Sequence, residues 1–272
     1  MSTSVGTGAA ARLLAEAPAR RAAAGERLFT SEADRIARLC HRMAERFARG
    51  GRLIAAGRGP AARSDARHVA VEFVHPVIVG KRALPALALT ADGGPLGAQL
   101  DLAAEPDDIV MAFDAEPEVV PAARARGCLT IAFTACGAEW ELPSPDPAPF
   151  VAQELIETLY HVLWELGHVF FEHRGLLEGR RAGPVHDVGA SSFLYPFLGE
   201  REDDLETVVA DVRRSVLVKA HEVAVLRERT VREGAGALAA GAAALRGRLD
   251  AGGRLLALGN GGSATDAMDV VA

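Results

Sequence analysis

Cysteine, aromatic residues, net positive charge and long apolar runs are all scarce or missing in this sequence. Its three cysteines, Cys40, Cys128 and Cys136, make an odd count without any CxxC pair. That excludes a disulfide framework and a thiolate metal cage, and points to a reduced, cytoplasmic setting. Cys128 and Cys136 bracket an apolar run and read as small core residues. Aromatic residues are only 5% of the chain, so its core must be built from Ala, Gly and aliphatic side chains in close helix–strand contact. A net charge of −6 speaks against a general nucleic-acid surface, and no nucleic-acid partner is expected. No apolar stretch approaches the roughly 18 residues of a membrane span, so no membrane partner is expected either. The first 25 residues lack a continuous apolar segment and a cleavage-site pattern. Their Ala/Arg bias continues through the whole chain, and they are not read as a targeting peptide.

Periodicity then orders the 272 residues. Residues 31–49 form an amphipathic helix with Ile36, Leu39, Cys40, Met43 and Phe47 on one face, Ser31 as N-cap and Gly50-Gly51 as its end. Short apolar strands are predicted at 52–56, 85–90, 108–113 and 128–134, with helices at 64–73 and 121–126 and a long closing helix at 150–173. Strands this apolar, separated by helices, indicate a parallel sheet covered on both faces. Residues 174–202 break the pattern as a linker, yet carry an apolar island, Phe193-Leu194-Tyr195-Pro196-Phe197-Leu198, expected to pack on a domain. One long helix is predicted at 203–233 and a second, Ala-rich one at 236–249.

The chain then repeats itself. Gly50-Gly51-Arg52-Leu53-Ile54-Ala55-Ala56-Gly57 recurs as Gly252-Gly253-Arg254-Leu255-Leu256-Ala257-Leu258-Gly259, with six of eight positions identical. In both copies a helix precedes the strand, and Asp-Ala follows the glycine loop, as Asp65-Ala66 and Asp266-Ala267. Shared order of helix, strand, loop and helix favours duplication over coincidence. The second copy covers only its opening elements, so the sequence reads as part of a longer protein.

A strand running into Gly259-Asn260-Gly261-Gly262-Ser263 and then a helix suits an anion. Glycines let the backbone turn close to a ligand, and the N–H groups of a helix start favour negative charge. Ser263 adds a hydroxyl donor, and Asn260 can hold the turn or meet a sugar hydroxyl. Gly259-Asn260-Gly261-Gly262-Ser263-Ala264-Thr265-Asp266-Ala267 resembles the phosphosugar loop of the sugar-isomerase (SIS) family, in particular its phosphoheptose isomerase branch. Residues 28–173 resemble the same branch, with Leu84-Pro85-Ala86-Leu87-Ala88-Leu89-Thr90 matching its second strand and the turn after it. The resemblance implies a flavodoxin-like, Rossmann-like three-layer α/β/α sandwich of SIS type with a five-stranded parallel sheet. The expected organisation is an N-terminal segment (1–27), a first SIS domain (28–173), a linker (174–202) and the start of a second SIS domain (203–272).

His68 and Glu72 lie four residues apart on one predicted helix, and Gln153 and His161 eight apart on another, each pair on a single face. Imidazole and carboxylate groups are ordinary zinc ligands. The family resemblance implies that His68, Glu72, Gln153 and His161 bind zinc, with Glu72 as the base and His161 as the group that returns the proton or polarises the oxygen. It further implies a sugar phosphate as ligand, bound by Asn260, Gly261, Gly262 and Ser263, and a homo-oligomer.

Two features depart from that pattern. The first-copy loop, Gly57-Arg58-Gly59-Pro60-Ala61-Ala62-Arg63-Ser64, lacks the Asn and the Gly-Gly-Ser, leaving Arg58, Arg63 or Ser64 as substitute anion binders. After the third strand stands Ala112-Phe113-Asp114-Ala115-Glu116-Pro117-Glu118, whose carboxylates repel a phosphate. In the second copy Asp269 replaces the counterpart of His68. One copy thus keeps the metal-type residues and the other the phosphate loop. The expected function is a phosphosugar isomerase of phosphoheptose (sedoheptulose 7-phosphate) isomerase type or a derivative of one, with either a composite site between the copies or a split into a structural half and a ligand-binding half. The alternatives are a non-catalytic relative that binds a sugar phosphate or partner protein, and a structural assembly partner. Gly57-Arg58-Gly59-Pro60-Ala61-Ala62 also fits a loose dinucleotide fingerprint, without the acidic residue that a second strand should end on. His168, Glu172 and His173 are read as a solvated face, and Trp140 and Trp164 as core or interface anchors.

Overall fold

The structure is a computed structural model that describes residues 3–76, 78, 80–173, 175–177 and 204–271, with side chains from residue 17 onward. The apolar island at 193–198 lies outside the described residues.

Five parallel strands form one sheet: β1 (Leu53–Gly57), β2 (Ala86–Thr90), β3 (Ile109–Phe113), β4 (Leu129–Ala132) and β5 (Trp140–Glu141), in the order β2-β1-β3-β4-β5. Register is set by Leu53 opposite both Ala86 and Ile109, so the strands start level and end level. Every residue of β1, β3 and β4 is buried. A strand with both faces covered has no solvated side, which is why these segments carry no polar alternation. The chain crosses over through α2 (Pro60–Val74), α3 (Leu96–Ala103) and α4 (Val119–Ala125), and α5 (Pro149–Glu172) follows the last strand. The strand order reverses between β1 and β3, and the loops after those two strands face each other there.

Two long helices frame this unit. Helix α1 (Thr3–Ala48) runs unbroken through the expected boundary at residue 27, with Pro18 inside it. Ser31 does not cap it: its hydroxyl donates back to the Arg27 and Leu28 carbonyls, as a mid-helix serine does. Helix α6 (Leu205–Asp250) likewise replaces the two helices predicted there. Gly234 and Gly236 cost only about 1 kcal/mol each relative to Ala in a helix, and the surrounding Ala-rich sequence carries the helix through. Val208, Val209, Val212 and Val216 bury the first half of α6 in the main core. Arg38 pairs with Glu206 through two hydrogen bonds, of 3.0 and 2.8 Å, between α1 and α6. Arg227 and Lys219 of α6 pair with Glu154 and Glu165 of α5.

The two glycine pairs end their helices in the same way. Gly50 and Gly252 both take positive φ, 98° and 81°. The next residues, Gly51 and Gly253, donate to the Arg46 and Arg248 carbonyls, closing one Schellman-type cap each. Residues 254–258 then run without a strand partner among the described residues, and Leu256 and Leu258 are exposed. The chain closes in α7 (Gly262–Val271), which packs on α2.

Candidate functional site

Helices α2, α5 and α7 meet at one crevice. Asp65, His68 and Glu72 succeed one another at helical spacing along α2, and Gln153, Glu157 and His161 do the same along α5. Helix α2 can begin directly after β1 because Gly57 allows it: a Cβ there would lie 2.0 Å from the Ala62 carbonyl oxygen. The same holds at Gly259, where a Cβ would lie 2.0 Å from the Ser263 carbonyl oxygen. Both loops therefore fold back onto the first turn of the following helix, which no larger residue would permit.

Helix α7 crosses α2 at equivalent positions of the two copies. Ser64 and Thr265, each just before Asp-Ala, meet there, and the buried Ser64 hydroxyl donates to the Thr265 carbonyl at 3.0 Å. That commitment corrects the expectation for Ser64, whose hydroxyl hydrogen is unavailable to a phosphate. The crossing carries loop 259–263 to the first unit: a methyl group on Gly262 would sit 3.9 Å from His68 Nε2. Within the loop, Ser263 Oγ donates to the Asn260 carbonyl and accepts from the Asn260 N–H, a local turn that leaves Asn260, Gly261 and Ser263 exposed.

The residues expected as metal ligands face one another across the crevice. His161 Nδ1 lies 3.9 Å from Glu72 Oε1, and the His68 and His161 rings stand 5.2 Å apart in edge-on contact. Gln153 donates its amide nitrogen to Asp269 Oδ1 at 3.1 Å. Asp269, Asp266 and His68 each offer a donor atom within 4.8 Å of the others. His68 Nδ1 is buried and without a hydrogen-bond partner, the state expected of an imidazole that has a use for its lone pair.

Carboxylates dominate the electrostatics. Burial, reinforced by Glu157 and Asp269, pushes Asp65 up to about 8. Burial, together with Asp269 and Glu154, pushes Glu157 up to about 7. Glu72 is raised by burial alone. Burial pulls His161 down to about 4, and it pulls His68 down as well against the opposing fields of Asp266 and Asp269. Both imidazoles are therefore neutral at pH 7, the form that ligates metals or donates a proton without carrying charge.

Pattern reading passed over Asp65, Glu157 and Asp266 as site residues, and treated Asp269 only as a replacement. Glu157 had a signal, standing midway between Gln153 and His161 on the same face. Asp266 and Asp269 had none, because only the packing of α7 on α2 brings them to His68. Elsewhere, His168 is buried and not on a solvated face: its two ring nitrogens contact the Trp164 and Arg82 carbonyls at 2.7 and 3.0 Å. Cys136 is exposed, whereas Cys40 and Cys128 are buried.

The first glycine loop, 57–64, lies beside the protein's own charges. Asp114, the sole non-glycine residue with positive φ among those described (46°), aims its carboxylate at the first loop, where a Cβ on Gly59 would lie 3.4 Å from Oδ2. Arg63 and Arg67 both pair with Asp92, at 2.7 and 2.9 Å.

The sequence is 32% identical over 189 residues to the phosphoheptose isomerase of Solidesulfovibrio magneticus, covering 60% of this chain and 92% of that protein. It is also 32% identical over 175 residues to the phosphoheptose isomerase of Nitratidesulfovibrio vulgaris, covering 54% of this chain and 84% of the relative. The chain belongs to the phosphoheptose isomerase family. No family model matches it. A solved phosphoheptose isomerase from Francisella tularensis superposes with a TM-score of 0.41 at 18% identity, over 48% of this chain and 85% of that one. Membership of the family accounts for the parallel sheet.

Proposed function

We propose that this protein is a phosphosugar isomerase of phosphoheptose-isomerase type, working at a composite site between its two SIS-like halves. The observation that carries the reading is the approach of Gly262, in the glycine loop of the second half, to His68 of the first. A sugar phosphate lying in this crevice would place its phosphate on the N–H groups of Gly261 and Gly262 at the start of α7, with Ser263 and Asn260 beside it. Its carbonyl end would then reach His68, Glu72 and His161.

Ketose-to-aldose isomerisation moves one proton between neighbouring carbons through an enediol. Glu72, buried and raised in pKa, would take the proton from the carbon next to the carbonyl and return it to the former carbonyl carbon. His161, neutral at pH 7 and 3.9 Å from Glu72, would give its N–H proton to the carbonyl oxygen as charge develops there and take back the proton that the neighbouring hydroxyl loses on becoming the new carbonyl. A metal ion fits here, because His68, Asp266 and Asp269 each offer a donor atom within 4.8 Å of the others. Zinc at His68, with Glu72, Gln153 and His161 as the ligands implied by the family, would polarise the carbonyl oxygen as a Lewis acid.

The test is conversion of sedoheptulose 7-phosphate by the purified protein, alongside Glu72→Gln, His161→Ala and Ser263→Ala. The reading requires turnover that falls at least about 100-fold in Glu72→Gln. A chain carrying both His161→Ala and Ser263→Ala adds a check: two lesions in one site should be non-additive, and strictly additive losses would sink the composite arrangement. A second reading, a sugar-phosphate binder without turnover, draws on the Asp114 carboxylate lodged against Gly59. It requires ligand-induced thermal stabilisation with no product.

A further inference from the structure

Two arginines from different helices share a single carboxylate, that of Glu154 on α5. Arg21 of α1 donates its Nε hydrogen to Oε2, and Arg227 of α6 holds its Nε 2.8 Å from Oε1. Arg227 also donates from Nη2 to the Thr158 hydroxyl at 2.8 Å, and that hydroxyl spends its own hydrogen on the Glu154 carbonyl at 2.7 Å. Among the described residues, both Nη groups of Arg21 and Nη1 of Arg227 have no protein partner. The counter-charge is incomplete. Glu157, the other acid whose field reaches Arg227, is pushed up to about 7 by burial and so is only partly charged at pH 7. Burial also disfavours the charge on Arg227, and the neighbouring Arg21 adds to that.

The two arginines line a crevice between α1, α5 and α6, of about 320 Å³ counted with its open mouth, and no acidic residue lines it. Phe29, Leu155, Val223 and Ala224 give it an apolar wall, and Phe29 and Leu155 belong to the main core. Planar guanidinium groups match a carboxylate in bidentate fashion. A phosphate would instead turn charged oxygens towards carbon that cannot donate to them. We propose that this crevice binds a small organic carboxylate, with its charged end on Arg21 and Arg227 and a short apolar tail on Phe29, Leu155 and Val223. The bound acid would tie α1, α5 and α6 together. This site shares no lining residue with the α2–α5–α7 crevice and does not depend on the isomerase reading.

The probe is propionate, titrated into the full chain by calorimetry and followed by thermal unfolding, against chloride and phosphate at equal ionic strength. A Kd of about 1 mM is expected for two charge-assisted hydrogen bonds. At a propionate concentration about 50 times that Kd, the melting temperature should rise by about 5 °C, and by no more than about 1 °C with chloride or phosphate. Arg21→Met and Arg227→Met should each weaken binding about tenfold or more. Ala224→Phe, which fills the crevice and leaves every charge in place, should abolish it. Glu154→Gln frees both guanidiniums from their competing carboxylate and should tighten binding about fivefold, a direction that general damage to the fold would not produce. Circular dichroism without ligand establishes that each variant is folded. If Arg227→Met does not fold, Arg21→Met and Glu154→Gln carry the test. The proposal is overturned if propionate does no more than chloride, if phosphate binds as well as propionate, if the arginine variants keep parental affinity, or if Glu154→Gln weakens binding.

Discussion

Ser64 and Thr265 occupy the same place in the two copies of the repeated segment, and they touch: the Ser64 hydroxyl donates to the Thr265 carbonyl at 3.0 Å, with both residues buried. Contact between equivalent positions is the mark of an isologous interface, here formed within one chain. The α7 side of the site goes with it, since the α2–α7 crossing brings Asp266, Asp269 and the second glycine loop to His68.

Substitution at this crossing should separate docking of α7 from folding of the sheet. Ser64→Ala removes the hydroxyl bond to the Thr265 carbonyl, which keeps its partner within α7, a cost of about 0.5–1.5 kcal/mol. Ser64→Leu overpacks a fully buried site and should release α7 altogether. Limited proteolysis would then cut near residues 251–262 well before the core is attacked; protection equal to the parent would contradict the packing described.

Gly57 and Gly259 make the same close approach but in different settings. Gly57→Ala forces a Cβ against backbone that the buried sheet holds in place, and a loss above about 2 kcal/mol is expected. Gly259→Ala meets an exposed loop, so global stability should change by less than about 1 kcal/mol while sugar-phosphate binding falls. Urea unfolding measures both, and equal losses at the two sites would be inconsistent with an exposed second loop.

The raised acids give the metal-free protein a pH signature. Asp65 titrates near 8 and Glu157 near 7 when folded, both above their unfolded values. The folded state therefore holds more protons than the unfolded state between about pH 4 and 8, and stability contributed by these groups falls as pH rises through that window. Asp65→Asn should flatten the decline and unfold at higher denaturant than the parent at pH 8. His161, lowered to about 4, acts in the opposite sense between about pH 4 and 6.5, so the Asp65 effect is cleanest above pH 6.5. A parent curve without slope from pH 6.5 to 8 would contradict these shifts.

Asp114 combines a left-handed backbone with a carboxylate aimed at the first glycine loop. Asp114→Gly relieves the backbone and should stabilise the protein by up to about 1 kcal/mol. It also removes a charge that repels anions, so inorganic phosphate should raise the melting temperature more in this variant than in the parent. Asp114→Asn, which tolerates the same φ, separates the two effects by changing charge alone.

Local signals carried much of the architecture. The runs at 52–56, 108–113 and 128–134 are strands because, within segments buried on both faces, Thr130 is the one polar residue of β1, β3 and β4, and their β-α alternation specifies a parallel sheet. His68 with Glu72, and Gln153 with His161, share faces because helical spacing alone puts them there. What periodicity could not register was length and burial. Helix α1 runs straight through Ser31, Gly234 and Gly236 do not break α6, Cys136 is exposed where a core residue was expected, and His168 is buried where a solvated one was expected.

The sequence by itself determined the sheet, the family and the four side chains facing the crevice from α2 and α5, since each depends on residues close together in the chain. Tertiary structure alone decided that loop 259–263, Asp266 and Asp269 stand against His68 some 200 residues away, that Ser64 spends its hydroxyl on the Thr265 carbonyl, and that Asp114 fills the first loop. Such contacts depend on how helices dock, and docking is set by the shape of whole faces, which no local pattern encodes.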